Sequence, residues 1–180
     1  MKVLHGVVAL ACVFSLSGCD ANEQTIEFDV PYGQYGTYLR QDVGAQGELT
    51  CKVSTSAENR SVKWMPSVIL AAAEDKAEDD TLFLSSYAQP GNRERSFKVR
   101  TFNKAQPVID SVFIHTTDED GAYSLRLRWQ ADGAIGYQVA NGDKGDWSGM
   151  QVVQKPGFTV RHVSMHVSGM SGRAICQVRE

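Results

Sequence analysis

From Ile26 onward, apolar and polar residues alternate in short runs separated by turn residues, and this period of two predicts β-strands. Ile26, Phe28 and Val30 alternate with Glu27 and Asp29, and Phe97 and Val99 alternate with Lys98 and Arg100. Leu49, Cys51 and Val53 share one strand face, as do Ala174, Cys176 and Val178 near the end. Leu82 to Tyr87 is apolar on both faces, while Val62 and Trp64 lead toward Pro66, where an edge strand or a bulge is expected. The clearest hairpin runs from Tyr123 to Gln130, turns through Ala131-Asp132-Gly133 and returns from Ala134 to Val139. Tyr123, Leu125, Leu127 and Trp129 lie on one of its faces and Ser124, Arg126, Arg128 and Gln130 on the other, and Asp-Gly supplies the positive φ of a tight turn. Further strands fit Met150 to Gln154, Phe158 to Ser168 and Arg173 to Arg179, with turn signals at Pro90-Gly91-Asn92, Asn141-Gly142, Pro156-Gly157 and Ser171-Gly172. One stretch, Ala71 to Glu78, reads as a turn or two of helix. The pattern predicts an all-β domain of about eleven antiparallel strands, folded as a two-sheet sandwich or a barrel.

The first residues break this pattern. Lys2 precedes an apolar run from Val7 to Leu16, which ends in small residues, the layout of an export signal and too short to cross a bilayer as a helix. The run closes on Leu16-Ser17-Gly18-Cys19, which resembles the lipobox of bacterial lipoproteins at all four positions. That resemblance implies removal of residues 1–18 and acylation of Cys19 with a diacylglyceryl group and a further N-linked acyl chain. At about 0.8 kcal/mol per buried methylene, such an anchor holds a protein to its membrane essentially permanently. The expected organisation is a discarded signal (1–18), a lipid-carrying cysteine with a short tether (19–24), and one domain over 25–180. The protein is expected in the cell envelope, facing the periplasm; Asp20 after the acylated cysteine resembles the inner-membrane retention signal of enteric bacteria, so the inner membrane is preferred over the outer.

With Cys12 in the signal and Cys19 acylated, the four cysteines reduce to Cys51 and Cys176 in an oxidising compartment, where a disulfide is expected. The chain carries 18 Lys and Arg against 21 Asp and Glu, a balance that excludes a nucleic-acid partner, which needs a basic face.

The hairpin that ends in Trp129 and turns at Asp132-Gly133 resembles an element of concanavalin-like jelly rolls, the fold of many lectins, laminin-G modules and glycan hydrolases. The resemblance implies a two-sheet jelly roll with first and last strands adjacent, in keeping with a Cys51–Cys176 bridge. Candidate recognition residues follow from side-chain chemistry. Tyr35 and Tyr38, with Tyr32, punctuate a glycine-containing segment with amphipathic rings, although a spacing of three does not put all of them on one strand face. Arg126 and Arg128 form a cationic stripe that Lys98 and Arg100 are placed to extend, and Trp147 and His162 complete the set. His162 and His166 flank Ser164 on one face of their strand, too far apart along it to share a metal, with His115 available from another strand. Asn141 to Asp146 fails the calcium-loop pattern, since Gly145 and Asp146 stand where a ligand and a glycine are needed. No cofactor and no metal are expected. Glu27-Phe28-Asp29 and Glu78-Asp79-Asp80 each begin the Glu-x-Asp-x-x-Glu signature of jelly-roll glucanases and lack its last glutamate, so no catalytic set is assigned.

Three functions remain open. A membrane-anchored, non-catalytic binding module for a glycan or a protein ranks first, an inhibitor or immunity protein among its forms. A glycan hydrolase or lyase on a jelly roll is second, and a structural or assembly component of the envelope is third.

Overall fold

The computed structural model describes residues 23–58, 65–90, 94–104, 106–117, 121–142 and 146–180. Among them are twelve strands and no helix. In chain order these are β1 (Glu23–Asp29), β2 (Tyr35–Asp42), β3 (Gly47–Glu58), β4 (Ser67–Ala73), β5 (Thr81–Ala88) and β6 (Glu94–Asn103). There follow β7 (Gln106–Thr117), β8 (Ala122–Trp129), β9 (Ala134–Asn141), β10 (Gln151–Gln154), β11 (His162–Ser168) and β12 (Met170–Arg179). They form two six-stranded antiparallel sheets. Sheet A has the order β1-β12-β3-β8-β9-β10 and sheet B the order β2-β11-β4-β5-β6-β7.

The period of two read along the chain decides which residues lie between the sheets. Leu49, Cys51, Val53, Leu125, Leu127 and Trp129 face inward from sheet A, and Leu70, Leu82, Leu84, Phe97, Val99 and Met165 meet them from sheet B, all essentially without exposure. Each such side chain contributes roughly 1.5–3 kcal/mol by leaving water. Ser86 Oγ on β5 donates to Tyr123 Oη on β8 at 2.9 Å across this core, and the buried Arg95 on β6 pairs with Glu58 on β3 between the same two sheets. Cys51 and Cys176 stand directly opposite one another on β3 and β12, 4.1 Å apart between Cα atoms, and are joined as a disulfide. The turn from β8 to β9 is the expected one: Gly133 has φ +82°, Asp132 Oδ1 accepts from Ala134 N at 3.0 Å, and a Cβ on Gly133 would meet Lys155 O at 2.3 Å.

Three local readings change. Ala71, Ala72 and Ala73 are not helical; they end β4, a central strand between β11 and β5 that is shielded on both faces. These alanines are buried on both faces of the strand, so tertiary packing overrides helix propensity. Pro66 does not mark an edge; it stands immediately ahead of this central strand, where a missing N–H costs no ladder bond, while Val62 and Trp64 lie outside the described residues. The strand expected from Phe158 begins only at His162, and Phe158 and Val160 enter the core from the preceding loop. In addition β1 starts at Glu23, so the last two residues assigned to the tether are already paired with β12.

Candidate functional site

Because the core takes the inward positions, each sheet turns its alternate residues outward. On sheet B the strand register sets these in rows. One runs Tyr35, Ser168, Ser67, Tyr87, Ser96; the next Thr37, His166, Ile69, Ser85, Lys98; the third Arg40, Ser164, Ala71, Phe83, Arg100, Asp110. Ala71, Ala73, Thr81, Ser85, Ser164 and His166 point away from the core and yet are at most 2% exposed. They form the floor of a trough. Its taller walls are Tyr35, Ile69, Phe83, Tyr87, Lys98 and Arg100, together with the loop between β4 and β5.

That loop delivers Glu78, whose backbone is held at φ +62°, a region that non-glycine residues rarely occupy and that costs of order 1 kcal/mol or more. The carboxylate it aims accepts from Ser164 Oγ at 2.6 Å and lies 3.0 Å from His166 Nε2, with Arg40 at 4.0 Å. Burial alone would raise the Glu78 pKa; the hydrogen bonds from His166 and Ser164, with the charges of His166 and Arg40, outweigh it and hold the carboxyl below its ordinary value. His166 Nδ1 lies 3.0 Å from Thr37 Oγ1, and its ring stacks under Tyr35 at 5.0 Å between centroids, nearly parallel, with Phe83 at its edge. Tyr35 itself is half-exposed, and desolvation together with the nearby Glu78 charge raises its phenol, which therefore remains a neutral donor.

This group is not a hydrolytic triad. Ser164 and Glu78 meet the same imidazole nitrogen, the other nitrogen goes to a threonine hydroxyl, and the serine proton is directed at the carboxylate. A base that activates a nucleophile is oriented by an acid at its far nitrogen. A glycan hydrolase in turn needs a carboxyl with a raised pKa as its acid, and Glu78 is shifted the other way. The arrangement offers a half-exposed ring and fixed acceptors and donors, which is the equipment for holding hydroxyl groups.

Five of the six candidate recognition residues fall into two sets, and Tyr38 belongs to neither. Tyr35 and His162 are on the outer side of sheet B, where His162 Nδ1 lies 2.7 Å from Asp42 Oδ1 and holds that carboxyl below its ordinary value. Tyr38 is turned elsewhere: the register of β2 against β11 slips between Thr37 and Leu39, and Tyr38, left without a partner in the ladder, packs its ring edge-on against Phe28 at 6.0 Å. Arg126, Arg128 and Trp147 are on the outer side of sheet A. The Arg126 guanidinium lies 3.9 Å from the Trp147 ring centre and donates to Thr50 Oγ1 and Gln138 Oε1, while Arg128 donates twice to Glu48 Oε2. With Glu23, Thr50, Lys52 and Arg179, Arg126 and Trp147 line a groove of about 400 Å³, and Arg128 stands outside it. Lys98 and Arg100 do not extend this stripe; they belong to sheet B and face the opposite way. The His115 side chain and residues 143–145 of the Asn141 to Asp146 loop lie outside what the structure describes, as does Cys19. Among the described residues no three His, Cys, Asp or Glu side chains converge as metal ligands.

The reading of β11 as alternating His162-Ser164-His166 outward and Val163-Met165-Val167 inward holds. Glu78 was legible only as part of an acidic run, since nothing in its neighbours says that the loop folds back over β11.

No protein-family model and no curated protein sequence matches the chain. Solved structures do resemble it. The xylan β-1,4-xylosidase of Bacillus halodurans superposes with a TM-score of 0.58 at 11% identity over 82% of this chain and 30% of that one. A galectin of Caenorhabditis elegans, LEC-6, gives 0.53 at 13% identity over 87% and 95%, and the carbohydrate-binding module CBM66 of Bacillus subtilis gives 0.50 at 12% over 89% and 96%. At these identities the likeness is one of fold, and the fold is the all-β jelly roll of galectins and carbohydrate-binding modules.

Proposed function

We propose that this protein is a membrane-anchored envelope lipoprotein whose jelly roll binds a glycan, without catalysis, along the outer trough of sheet B. The observation that carries the reading is the Tyr35–His166–Glu78 group: a half-exposed phenol stacked on a buried imidazole beside an ionised carboxylate, over a floor of hydroxyls. Sugars offer apolar C–H faces to rings and hydroxyl donors to carboxylates, and here both partners are fixed before a ligand arrives. The fold neighbours add support, since a galectin and a carbohydrate-binding module are among them. Anchoring rests on the Leu16 to Cys19 lipobox. Cys19→Ala should leave the protein without acyl chains and in the soluble fraction, and an unchanged membrane fraction would remove that part of the reading.

The test of binding is a glycan array followed by titration calorimetry. Tyr35→Ala should weaken the best glycan at least tenfold, a loss of about 1.4 kcal/mol, with little change in thermal stability. Arg126→Ala should leave that affinity unchanged. The reverse outcome would move the site to sheet A. A protein partner is the second reading, favoured by Arg126 stacked on Trp147, because these residue types are over-represented among the residues that dominate protein interfaces. An inhibitor is one form such a partner-binding protein takes.

A further inference from the structure

The far wall of the sheet B trough is cationic. Lys98 and Arg100 are successive outward residues of β6 and share one carboxylate, with Lys98 Nζ 3.4 Å from Asp110 Oδ1 and Arg100 Nη2 3.1 Å from Asp110 Oδ2. Asp110 thus spends one oxygen on each cation, and no bidentate pairing with the guanidinium forms. Arg100 Nε is shielded from water and has no hydrogen-bond partner among the described residues, so the Nε side of its fork is unspent. Ser85, paired with Lys98 across the β5–β6 ladder, is fully buried, and its hydroxyl also has no partner there. On the near wall, Arg40 stands by a Glu78 carboxylate that Ser164 and His166 already occupy. On the far wall two cations share one carboxylate, an excess of one positive charge, in a chain whose net charge is −3.

We infer that the ligand of the trough is an acidic saccharide, one whose sugar units bear carboxylates, with an acid group seated on Lys98 and Arg100 beside Asp110. This rests on the glycan-binding reading above and narrows it. A planar carboxylate suits the guanidinium of Arg100, a side chain 35% exposed, and a lysine ammonium within reach adds charge without fixing direction. The Tyr87 ring, 5.8 Å from Lys98 Nζ at its centre, and Tyr35 stand at either side of the serines of their common row, two rings for the neutral part of the sugar chain. Charge and ring chemistry therefore lie on one face, in one trough, whereas Arg126 and Arg128 of sheet A are already paired with Glu48, Thr50 and Gln138.

The experiment uses the full chain purified in detergent and a set of acidic oligosaccharides, namely oligouronates, sialylated chains and muramic-acid-bearing fragments, each matched with its carboxyl-reduced neutral counterpart. At least one acidic member should bind tenfold or more tightly than its neutral counterpart, and raising the salt from low to physiological strength should erode the difference. Arg100→Gln and Lys98→Met should each abolish most of that preference. Asp110→Asn, which removes the competing carboxylate, should tighten acidic binding several-fold, a gain that misfolding cannot mimic. Equal affinity for acidic and neutral members overturns the inference while glycan binding stands; no binding by any member of either series overturns both.

Discussion

The outer faces of the two sheets come from strands of the same period, and they end with opposite character. On sheet A the outward residues, such as Lys52, Ser54, Arg128 and Arg173, stand in water, and Arg128 pairs with Glu48 one strand away. On sheet B the outward residues of the central strands are sunk, and a loop has been brought over them at the cost of a left-handed glutamate. Exposed ion pairs contribute little to stability, typically 0–1 kcal/mol, so the stripe on sheet A is explained by solubility and local order. Buried hydroxyls and a buried imidazole covered only by one loop and by neighbouring side chains have no such ordinary explanation. The contrast locates the working face by the polar groups that a sheet withholds from water.

The comparison can be broken in order of size. Sheet A should depend most on its covalent link: Cys51→Ala with Cys176→Ala opens a loop spanning a separation of 125 residues and should cost somewhat over 4 kcal/mol in the chain-entropy account, measured by urea denaturation. A loss below about 1 kcal/mol would mean that the strand pairing alone keeps sheet A closed. Sheet B should depend on Glu78. Glu78→Gln should cost about 1–3 kcal/mol at pH 7, the range for a hydrogen-bonded charge. The Glu78 carboxyl is held below its ordinary value of 4.5, so its contribution is complete above that value and disappears as pH falls through the depressed folded value. Denaturation curves of the two proteins should therefore differ at pH 7 and converge on acidification; a gap that persists in acid would assign the loss to packing. Arg126→Ala should cost about 0.5–1 kcal/mol, the worth of a cation over an indole, and should raise Trp147 exposure in fluorescence quenching. Arg128→Ala, at a side chain 52% exposed, should stay within about 0.5 kcal/mol.

Most of the interior was legible because burial imposes a period of two, and Leu125-Leu127-Trp129 or Val163-Met165-Val167 obey it without exception. The site was legible only in pieces. His162, Ser164 and His166 were read as one outward row because they lie on a single strand. Glu78 reaches them from a segment more than eighty positions away, and no local pattern encodes that. Tyr38 was grouped with Tyr35 by chemistry alone: their spacing of three already puts the two rings on opposite faces of β2, and Tyr38 turns to Phe28. The alanines of β4 misled because a residue with strong helix propensity is also the one that fits where both faces of a strand are covered. Lys98 and Arg100 were joined to the wrong arginines, since alternation tells which residues face outward but not from which of two sheets.

The disulfide also has a mechanical meaning. β1 is an edge strand whose only ladder partner is β12, and its second rung sets Gln24 opposite Cys176, which is bonded to Cys51 on β3. Tension applied through the chain ahead of Glu23 would enter the domain at that rung. The edge strand could peel away one hydrogen-bonded rung at a time, but the separation of β12 from β3 would be stopped by a covalent bond almost level with the point of loading. A protein hung from its N-terminus would thus bear traction at the place where its sheet is riveted, and the trough on the opposite sheet would be spared the strain.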